Sequence, residues 1–237
     1  NPFLPSVTGT TRNVTNAATL QAAIALAVAG DEIVLATGIG ATYALTAAIT
    51  NASFVANDGV GGRVGMEGIL IRGATGDRDY VVLTGNGVLT NGHWDLDGGS
   101  TLFSGFKDLT WDIDGLGISV VTDKGKFAYD NVLITGASTN GLGASFFFSN
   151  IAGALTLEAL DFRIENGAAD LFNGFGDAGS NPTSRVRFVN CEGVTAGPTD
   201  SGLQCLTTHT GLAVEWYGGL LQDAVANVIA SDGLSSP

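Results

Sequence analysis

One short pattern of alternating apolar and polar residues recurs through the second half of the chain, and each copy ends at a glycine with Asp or Asn nearby. The copies occupy residues 106–115, 127–136, 155–167, 186–193 and 212–219. Strict alternation places every second side chain on the same face of a strand. Each copy therefore predicts a short strand with one buried face, closed by a tight turn.

The spacing of the copies selects the architecture. Aligned at Leu109, Val132, Leu160, Cys191 and Gly219, the copies follow one another at intervals of about 23 to 31 residues, whereas a propeller blade needs about 40–45 residues and four strands. A β-sandwich would not repeat one strand signature with loops of varying length between the copies. In a solenoid each coil stacks on the previous one, so insertions change the interval without breaking the stack. The repeat predicts a β-solenoid with coils over residues 31–230.

A single helix is predicted, close to the start of the chain. Apolar residues recur at helical spacing from Leu20 to Val28, with Thr19 as the expected N-cap and Gly30 as the end. A β-type run, Asp31–Gly38, follows directly. We expect the helix, residues 19–30, to cover the first coil, because an open strand edge would otherwise pair with another chain. Residues 1–18 are then an N-terminal arm and residues 231–237 a tail.

Two segments resemble a known superfamily. Thr19–Leu35 is similar to the cap helix and first strand of right-handed parallel β-helix proteins, and Phe127–Gly136 is similar to their coils. This pectate-lyase-like superfamily includes pectate lyases, polygalacturonases, alginate and chondroitin lyases, and phage tailspikes. The resemblance runs from Leu20 to about Ala230. It implies an all-β fold, a single right-handed parallel β-helix with an N-terminal capping α-helix, but no one function, since the superfamily mixes enzymes, adhesins and structural spikes.

The charge balance limits the partners. Among 237 residues, 23 are Asp or Glu and 10 are Lys or Arg, which gives a formal net charge of −13. A nucleic-acid binder needs a basic face, and an anionic membrane surface would repel this chain. No apolar run reaches the roughly 18 residues of a membrane span. We therefore expect neither nucleic acid nor membrane insertion.

The resemblance implies which motifs a catalytic member of the superfamily would carry. A polygalacturonase would carry paired acids together with Gly-His-Gly, and the nearest sequence, Leu206–Gly211, offers only His209. A lyase would need an Arg or Lys base and a cation that neutralises the substrate carboxylate. Arg185 and Arg187 share a strand face, and we expect Arg163 one coil below them. If the chain is an enzyme, the candidate catalytic residues are His209, Asp170, Arg187 and Arg185, although a solvated polar face explains the arginines equally well.

A polar patch suggests a sugar-binding alternative. Stacking of two neighbouring coils would bring together Asp170, Asn173, Gln204, Thr208 and His209. Nearby, Phe146, Phe147 and Phe148 cannot all point inward, so either Phe147 or the other two face outward. An exposed aromatic there would be a platform for a sugar or a contact with another subunit. The substrate-binding candidates are Phe147, Asn173, Gln204 and Thr208.

No cofactor is expected, with calcium as the open exception. The motif Trp-Asp-apolar-Asp-Gly occurs twice, and aspartates two apart on a strand point to the same side. The candidate ligands are Asp95, Asp97, Asp112 and Asp114, although Asp-Gly also simply ends strands at turns. The two cysteines, Cys191 and Cys205, are either disulfide-bonded or buried free thiols.

Three functions remain open after these observations. The leading one is a structural or adhesive β-helix that is extracellular, at a cell surface or on a virion, and acts without catalysis within an oligomer or fibre. It rests on the missing catalytic motifs, the 14% of charged residues, and a last strand with no amphipathic segment after it. Either the chain continues beyond that strand or another subunit covers it. The alternatives are a polysaccharide lyase or glycoside hydrolase, and a glycan-binding module.

Overall fold

A computed structural model describes residues 1–36, 41–45, 49–50, 66–84, 94–113, 120–136, 144–149, 153–167, 170–175, 184–195, 201–206, 212–222 and 227–232. In this part of the chain there are one α-helix, a short 3-10 turn at Arg78–Tyr80, and seventeen strands. The elements are β1 Thr11–Val14, α1 Ala17–Leu26, β2 Glu32–Leu35, β3 Ala41–Ala44, β4 Ile49–Thr50, β5 Leu70–Gly73, β6 Val81–Thr84, β7 Trp94–Asp97, β8 Ser104–Asp112, β9 Val120–Thr135, β10 Ala144–Ser149, β11 Leu155–Leu160, β12 Arg163–Gly167, β13 Asp170–Phe175, β14 Ser184–Thr195, β15 Ser201–Leu206, β16 Leu212–Gln222 and β17 Asn227–Asp232.

All pairings between these strands are parallel, and they form three stacks. The first stack runs β1, β2, β5, β8, β9, β11, β14, β16. The second runs β3, β6, β8, β9, β12, β14, β16 through the later parts of the long strands. The third runs β4, β7, β9, β10, β13, β15, β17. The fold is therefore all-β and mostly parallel, as predicted, and it is compatible with a parallel β-helix.

Equivalent apolar residues align through the first stack from β2 to β16. One interior column joins Ile33, Ile71, Phe106, Tyr129, Ala159, Phe188 and Trp216. The rings of Phe106 and Tyr129 stack at 5.4 Å, and those of Phe188 and Trp216 lie 5.1 Å apart. All members of the column are buried except Trp216, which packs against the core while partly exposed. The apolar half of each repeat thus forms one continuous core.

The helix begins earlier than the sequence suggested. Asn16, not Thr19, is the N-cap: its Oδ1 accepts from the Thr19 amide at 2.9 Å, and the Thr19 hydroxyl accepts from the Asn16 amide at 3.1 Å. This reciprocal pair forms a capping box, in which Thr19 is the third helical residue. The helix ends at Leu26 rather than at Gly30, and it buries Leu20, Ala23 and Ile24 in the core beside β1 and β2.

The repeat alignment is right at four of its five positions. Leu109 lies opposite Val132, and Cys191 lies opposite Gly219. Leu160, in contrast, lies opposite Asp130 and Val189, so its alignment with Val132 and Cys191 was wrong. An error of two residues preserves the apolar-polar alternation of a strand, and the pattern alone could not detect it.

The N-terminal arm lies against the outer surface of the first stack. The Phe3 ring lies 5.3 Å from that of Phe103, and the Arg187 guanidinium lies 5.1 Å from the Phe3 centroid. Leu4 and Pro5 occupy the space that a side chain at Gly105 would need. The amides of Thr8 and Gly9 donate to the Gly30 carbonyl. The beginning of the chain is therefore packed onto strands that follow it by more than a hundred residues.

Candidate functional site

Two arginines near the start of the first stack bridge neighbouring strands. Arg72 on β5 pairs with Glu32 on β2, with Nε and Oε1 2.5 Å apart. Arg12 on β1 pairs with Asp31, just before β2, at 2.8 Å. The two carboxylates are almost fully buried beneath their partners. Since a buried carboxylate is costly without a partner, these arginines serve first to neutralise the strand surface.

The two arginines predicted as catalytic lie on the outer surface of β14, as expected. Arg187 is directly opposite Glu158 of β11, and its Nε lies 2.5 Å from Oε2 of this carboxylate, which is only 5% exposed. Arg185 reaches the other neighbour, with Nη2 2.7 Å from Oε2 of Glu215 on β16. Both guanidinium groups are therefore occupied by ion pairs in opposite directions along the stack.

The environment of Arg185 argues against its acting as a general base, because it shifts the pKa of the guanidinium upward. The hydrogen bond and charge of Glu215 raise the pKa of the Arg185 guanidinium, and the same hydrogen bond lowers the pKa of Glu215. The Tyr217 hydroxyl also donates to Glu215, at 2.9 Å, and its own pKa is raised. A general base works best when its pKa lies near the working pH, and this environment moves Arg185 in the opposite direction.

Arg163 lies on β12, on a different stack from Arg185 and Arg187. It is directly opposite Glu192 of β14 and Leu133 of β9, in the second stack, and its guanidinium pairs with Glu165 at 2.7 Å and with Glu192 at 3.4 Å. The expectation that it lies one coil below the strand of Arg187 is confirmed, because β12 pairs directly with β14, but Arg163 lies in the second stack and not beneath Arg185 and Arg187 in the first. A corner of the chain at Asp161 separates the two positions.

That corner is one of a column of left-handed residues. Asp108, Asn131, Asp161 and Asn190 have φ between 51° and 54°, and Gly218 follows with φ 68°. Each stands at the corner between the first and second stacks, either within a strand or, for Asp161, between β11 and β12. Asn131 Nδ2 donates to Asp108 Oδ1 at 2.8 Å, and Asn190 Nδ2 donates to Asp161 Oδ1. Asn and Asp tolerate this conformation better than other side chains, since they bond locally.

A polar cleft of about 240 Å³ opens beside this column. Its wall is the 3-10 turn, from which Arg78 Nη1 donates to the Asp161 carbonyl at 3.2 Å. The lining residues are Arg78, Asn131, Asp161, Phe162, Arg163, Asn190 and Glu192. The cleft offers amides, carboxylates and guanidinium groups to a polar molecule. Arg163 is paired with Glu192, the Asp161 carboxylate accepts from Asn190, and Arg78 donates to a backbone carbonyl.

Sequence reasoning missed this column although a signal was present. In the first four copies of the repeat an Asp or Asn directly precedes an apolar residue that returns to the interior: Asp108, Asn131, Asp161 and Asn190. The recurrence of Asp or Asn at this one position of the repeat is typical of a turn, and it indicates the corner between the first and second stacks.

The predicted sugar-binding residues are partly brought together. In the third stack Phe147 pairs with Asn173, and Asn173 pairs with Gln204. Asp170 starts β13 three positions before Asn173. Phe146 and Phe148 are fully buried, which excludes the alternative in which they face outward. The side chains of Phe147, Asn173, Gln204 and Asp170, and all of Thr208 and His209, lie outside the described residues.

The calcium candidates fall on two different stacks. Asp95 and Asp97 are on β7 of the third stack, whereas Asp112 ends β8 in the second. Asp114 and the side chains of Asp95 and Asp97 lie outside the described part of the chain. Among the residues that are described, no group of three or more His, Cys, Asp or Glu could hold a metal ion. Calcium binding stays a prediction.

Cys191 is a buried free thiol. Its Sγ lies 3.6 Å from the Ala159 carbonyl and 3.4 Å from that of Val189. Burial raises the pKa of the Cys191 thiol to about 12. Of the two alternatives left open by the sequence, the structure selects a free thiol at this position, since no disulfide involves Cys191.

The last strands of the stacks leave one side unpaired within the described residues. β16 pairs only with β14, and β17 pairs only with β15. Tyr217 and Leu220 on β16 are 54% and 48% exposed. This edge therefore combines unpaired backbone groups with exposed apolar side chains.

Comparisons with protein-family models, with curated proteins and with solved structures find no match. In the part of the chain that the structure describes, no helix has the length and apolar character that a membrane-spanning segment requires.

Proposed function

We propose that this chain is a structural or adhesive protein, extracellular, at a cell surface or on a virion, that acts within an oligomer without catalysis. In this proposal the three stacks are the faces of a single right-handed parallel β-helix, and α1 caps its first coil. The observation that carries the proposal is the use of Arg12, Arg72, Arg185 and Arg187 as ion-pair partners of acids on neighbouring strands.

This pairing favours a structural role over a lyase. In a lyase, an arginine or lysine must accept a proton beside the substrate carboxylate. Arg187 covers the nearly buried Glu158, and its release from this pair to act on a substrate would leave an uncompensated buried charge. The pairs instead fix the register of each strand on the next, which is what a rigid rod requires.

A glycan-binding module is the second candidate, and one observation favours it. The backbone register aligns Phe147, Asn173 and Gln204 on three successive strands of the third stack. An aromatic residue followed by two amides at the spacing of neighbouring strands, about 4.8 Å, is a suitable arrangement for stacking and hydrogen bonding along a sugar chain.

Two measurements on the whole chain test these proposals. The first is incubation with a panel of neutral and acidic polysaccharides, with and without calcium, followed by assays for unsaturated products and for new reducing ends. The second is the molar mass by light scattering. We expect no products and a mass above 24.1 kDa. Products that disappear in Arg187→Ala or His209→Ala would contradict the structural role, and a monomer that binds a glycan, with binding lost in Asn173→Ala, would establish the second candidate.

A further inference from the structure

The 3-10 turn covers the first Asp–Asn pair of the left-handed column. The Gly76 carbonyl accepts from Asn131 Nδ2 at 3.1 Å, and the Arg78 carbonyl accepts from the Thr110 hydroxyl at 3.1 Å. Asn131 Nδ2 also donates to Asp108 Oδ1 at 2.8 Å. An amide group has two hydrogens to donate, and at this pair both are used within the protein.

The second pair of the column lacks this cover. Asn190 Nδ2 donates to Asp161 Oδ1, as Asn131 donates to Asp108. Among the residues that the structure describes, however, no carbonyl takes the place that Gly76 has at the first pair. The second amide hydrogen of Asn190 is therefore left over, and Asn190 is an exposed residue that lines the polar cleft. The comparison of the two pairs indicates where an oxygen atom of a ligand would fit.

Arg78 adds a held guanidinium to the same cleft. Its Nη1 donates to the Asp161 carbonyl at 3.2 Å, and its own carbonyl is tied to Thr110 of β8. Every other arginine in the described part of the chain forms an ion pair with a carboxylate, whereas Arg78 forms none there. A guanidinium has five N–H donors in a fixed fork, so Arg78 has donors to offer to a bound molecule.

The charges that line the cleft balance one another. The guanidinium groups belong to Arg78 and Arg163, and the carboxylates belong to Asp161 and Glu192. An anion would approach two carboxylates and a cation would approach two guanidinium groups, so neither sign of charge is favoured. A neutral ligand that both donates and accepts hydrogen bonds suits this lining, and a hydroxyl group does both.

We propose that this cleft binds one neutral sugar unit through two adjacent hydroxyl groups. The first hydroxyl accepts from Asn190 Nδ2, where the first pair has the Gly76 carbonyl, and donates to the Asp161 carboxylate. The second accepts from Arg78. The inference goes beyond the proposed function, because it assigns a small-molecule site at the corner between the first and second stacks.

The size of the cleft agrees with a single ring. Its volume of about 240 Å³ corresponds to roughly eight water molecules at about 30 Å³ each. This is room for one sugar ring and not for several. The ring is either a free monosaccharide or one unit of a longer glycan, and both sources offer the same hydroxyl groups.

The test is an NMR titration of the whole isotope-labelled chain with glucose, galactose and mannose, with glucuronate as the charged counterpart of glucose. We expect at least one neutral hexose to shift the Asn190 side-chain amide signal, with millimolar affinity because the cleft is small and open. Glucuronate should bind more weakly. Methyl glycosides of the same hexoses separate the two sources: equal binding points to a glycan unit, and binding of the free sugars alone points to a monosaccharide.

Two variants locate the binding. Arg78→Met should weaken it by about tenfold, the loss expected for one hydrogen bond to a charged group. Lys126→Met is the matched control, since it removes the same charge from a side chain that does not line the cleft, and it should leave the affinity unchanged. Asn190→Gly keeps the left-handed backbone and removes the amide, so it should also weaken binding. The thermal midpoint of each variant shows that it is folded.

The outcomes separate the inference from the proposed function. If none of the three hexoses shifts the Asn190 signal, the inference is overturned, and it is equally overturned if glucuronate binds more tightly than every neutral hexose. Binding that survives both Arg78→Met and Asn190→Gly but is lost in Asn173→Ala overturns it in favour of the third stack. The structural role is tested separately, by molar mass and by the absence of products.

Discussion

The side-chain amide of Asn131 donates a 2.8 Å hydrogen bond to the carboxylate of Asp108 on the neighbouring strand, and both residues have left-handed backbones, with φ of 52° and 54°. Asp161 and Asn190 repeat this relationship two strands further on. The corner between the first and second stacks is therefore held by alternating Asp and Asn, in which each amide has a carboxylate partner below it. The carboxylates of Asp108 and Asp161 therefore help to fix the register of neighbouring strands.

Asn131→Val tests the corner. Valine at a positive φ costs about 1–2 kcal/mol of strain, and loss of the hydrogen bonds to Asp108 and to the Gly76 carbonyl adds about 1–2 kcal/mol. The free energy of unfolding should therefore fall by about 2–4 kcal/mol in urea titrations. Asn131→Gly is the control, because glycine keeps the backbone conformation and loses only the hydrogen bonds. Equal losses for valine and glycine would show that the left-handed conformation carries no cost.

Removal of Arg187 should destabilise far more than removal of its neighbour. Arg187→Met leaves the nearly buried Glu158 without its ion pair, and an unpaired buried carboxylate should cost about 2–3 kcal/mol. Arg185→Met, two residues away on the same strand, breaks only an exposed pair and should leave unfolding unchanged within error. Chemical denaturation of both variants provides the comparison. If the two variants had the same free energy of unfolding, the ion pair between Arg187 and Glu158 would not stabilise the fold.

The Cys191 thiol should be inert in the native protein. With its pKa raised to about 12 by burial, it is not a thiolate at pH 8 and should resist alkylation. A Cys205→Ser background isolates it, and the same sample in urea should react fully. Rapid native labelling would contradict the packing at this position. Above pH 9 the unfolded thiol ionises while the native one stays protonated, so stability should fall as the pH rises toward 12.

Gly105 should control the N-terminal arm. A side chain at this position would meet Leu4 and Pro5, so Gly105→Leu should lift the arm and expose it to proteases, with faster cleavage before Thr8. Gly76→Leu is the matched control, since nothing lies within 4 Å of a side chain added there. If proteases cleaved the arm at the same rate in both variants, the arm would not lie over Gly105.

The alternation of apolar and polar residues predicted the strands of the stacks, because the apolar residues of a strand are buried on one face. Phe106, Phe127 and Phe188, which are apolar positions of three copies, are all fully buried. The same pattern could not place Leu160, because register is fixed only when strands pair and a shift of two residues keeps the alternation. The sequence predicted an N-terminal arm but not its position, since Asn1–Pro5 has no periodicity and the arm lies over the gap above Gly105, which arises only in the folded protein.

The sequence likewise predicted which residues of the candidate site share a face, but not which residues they contact. That Arg185 and Arg187 share an outer face follows from their spacing, but their ion pairs with Glu215 and Glu158 depend on which strands become neighbours. The alignment of Asn173 with Gln204 was expected from the repeat and is confirmed as backbone register. The cleft at Arg78 was not, because the 3-10 turn lies more than eighty residues from Asp161 in the chain.

Assembly without catalysis is the central proposal for this chain, and sedimentation velocity of the unmodified chain over a wide concentration range tests it most directly. We predict a species heavier than 24.1 kDa whose fraction rises with concentration, without release of products from any polysaccharide in the same buffer. A single species of 24.1 kDa at every concentration would contradict the account.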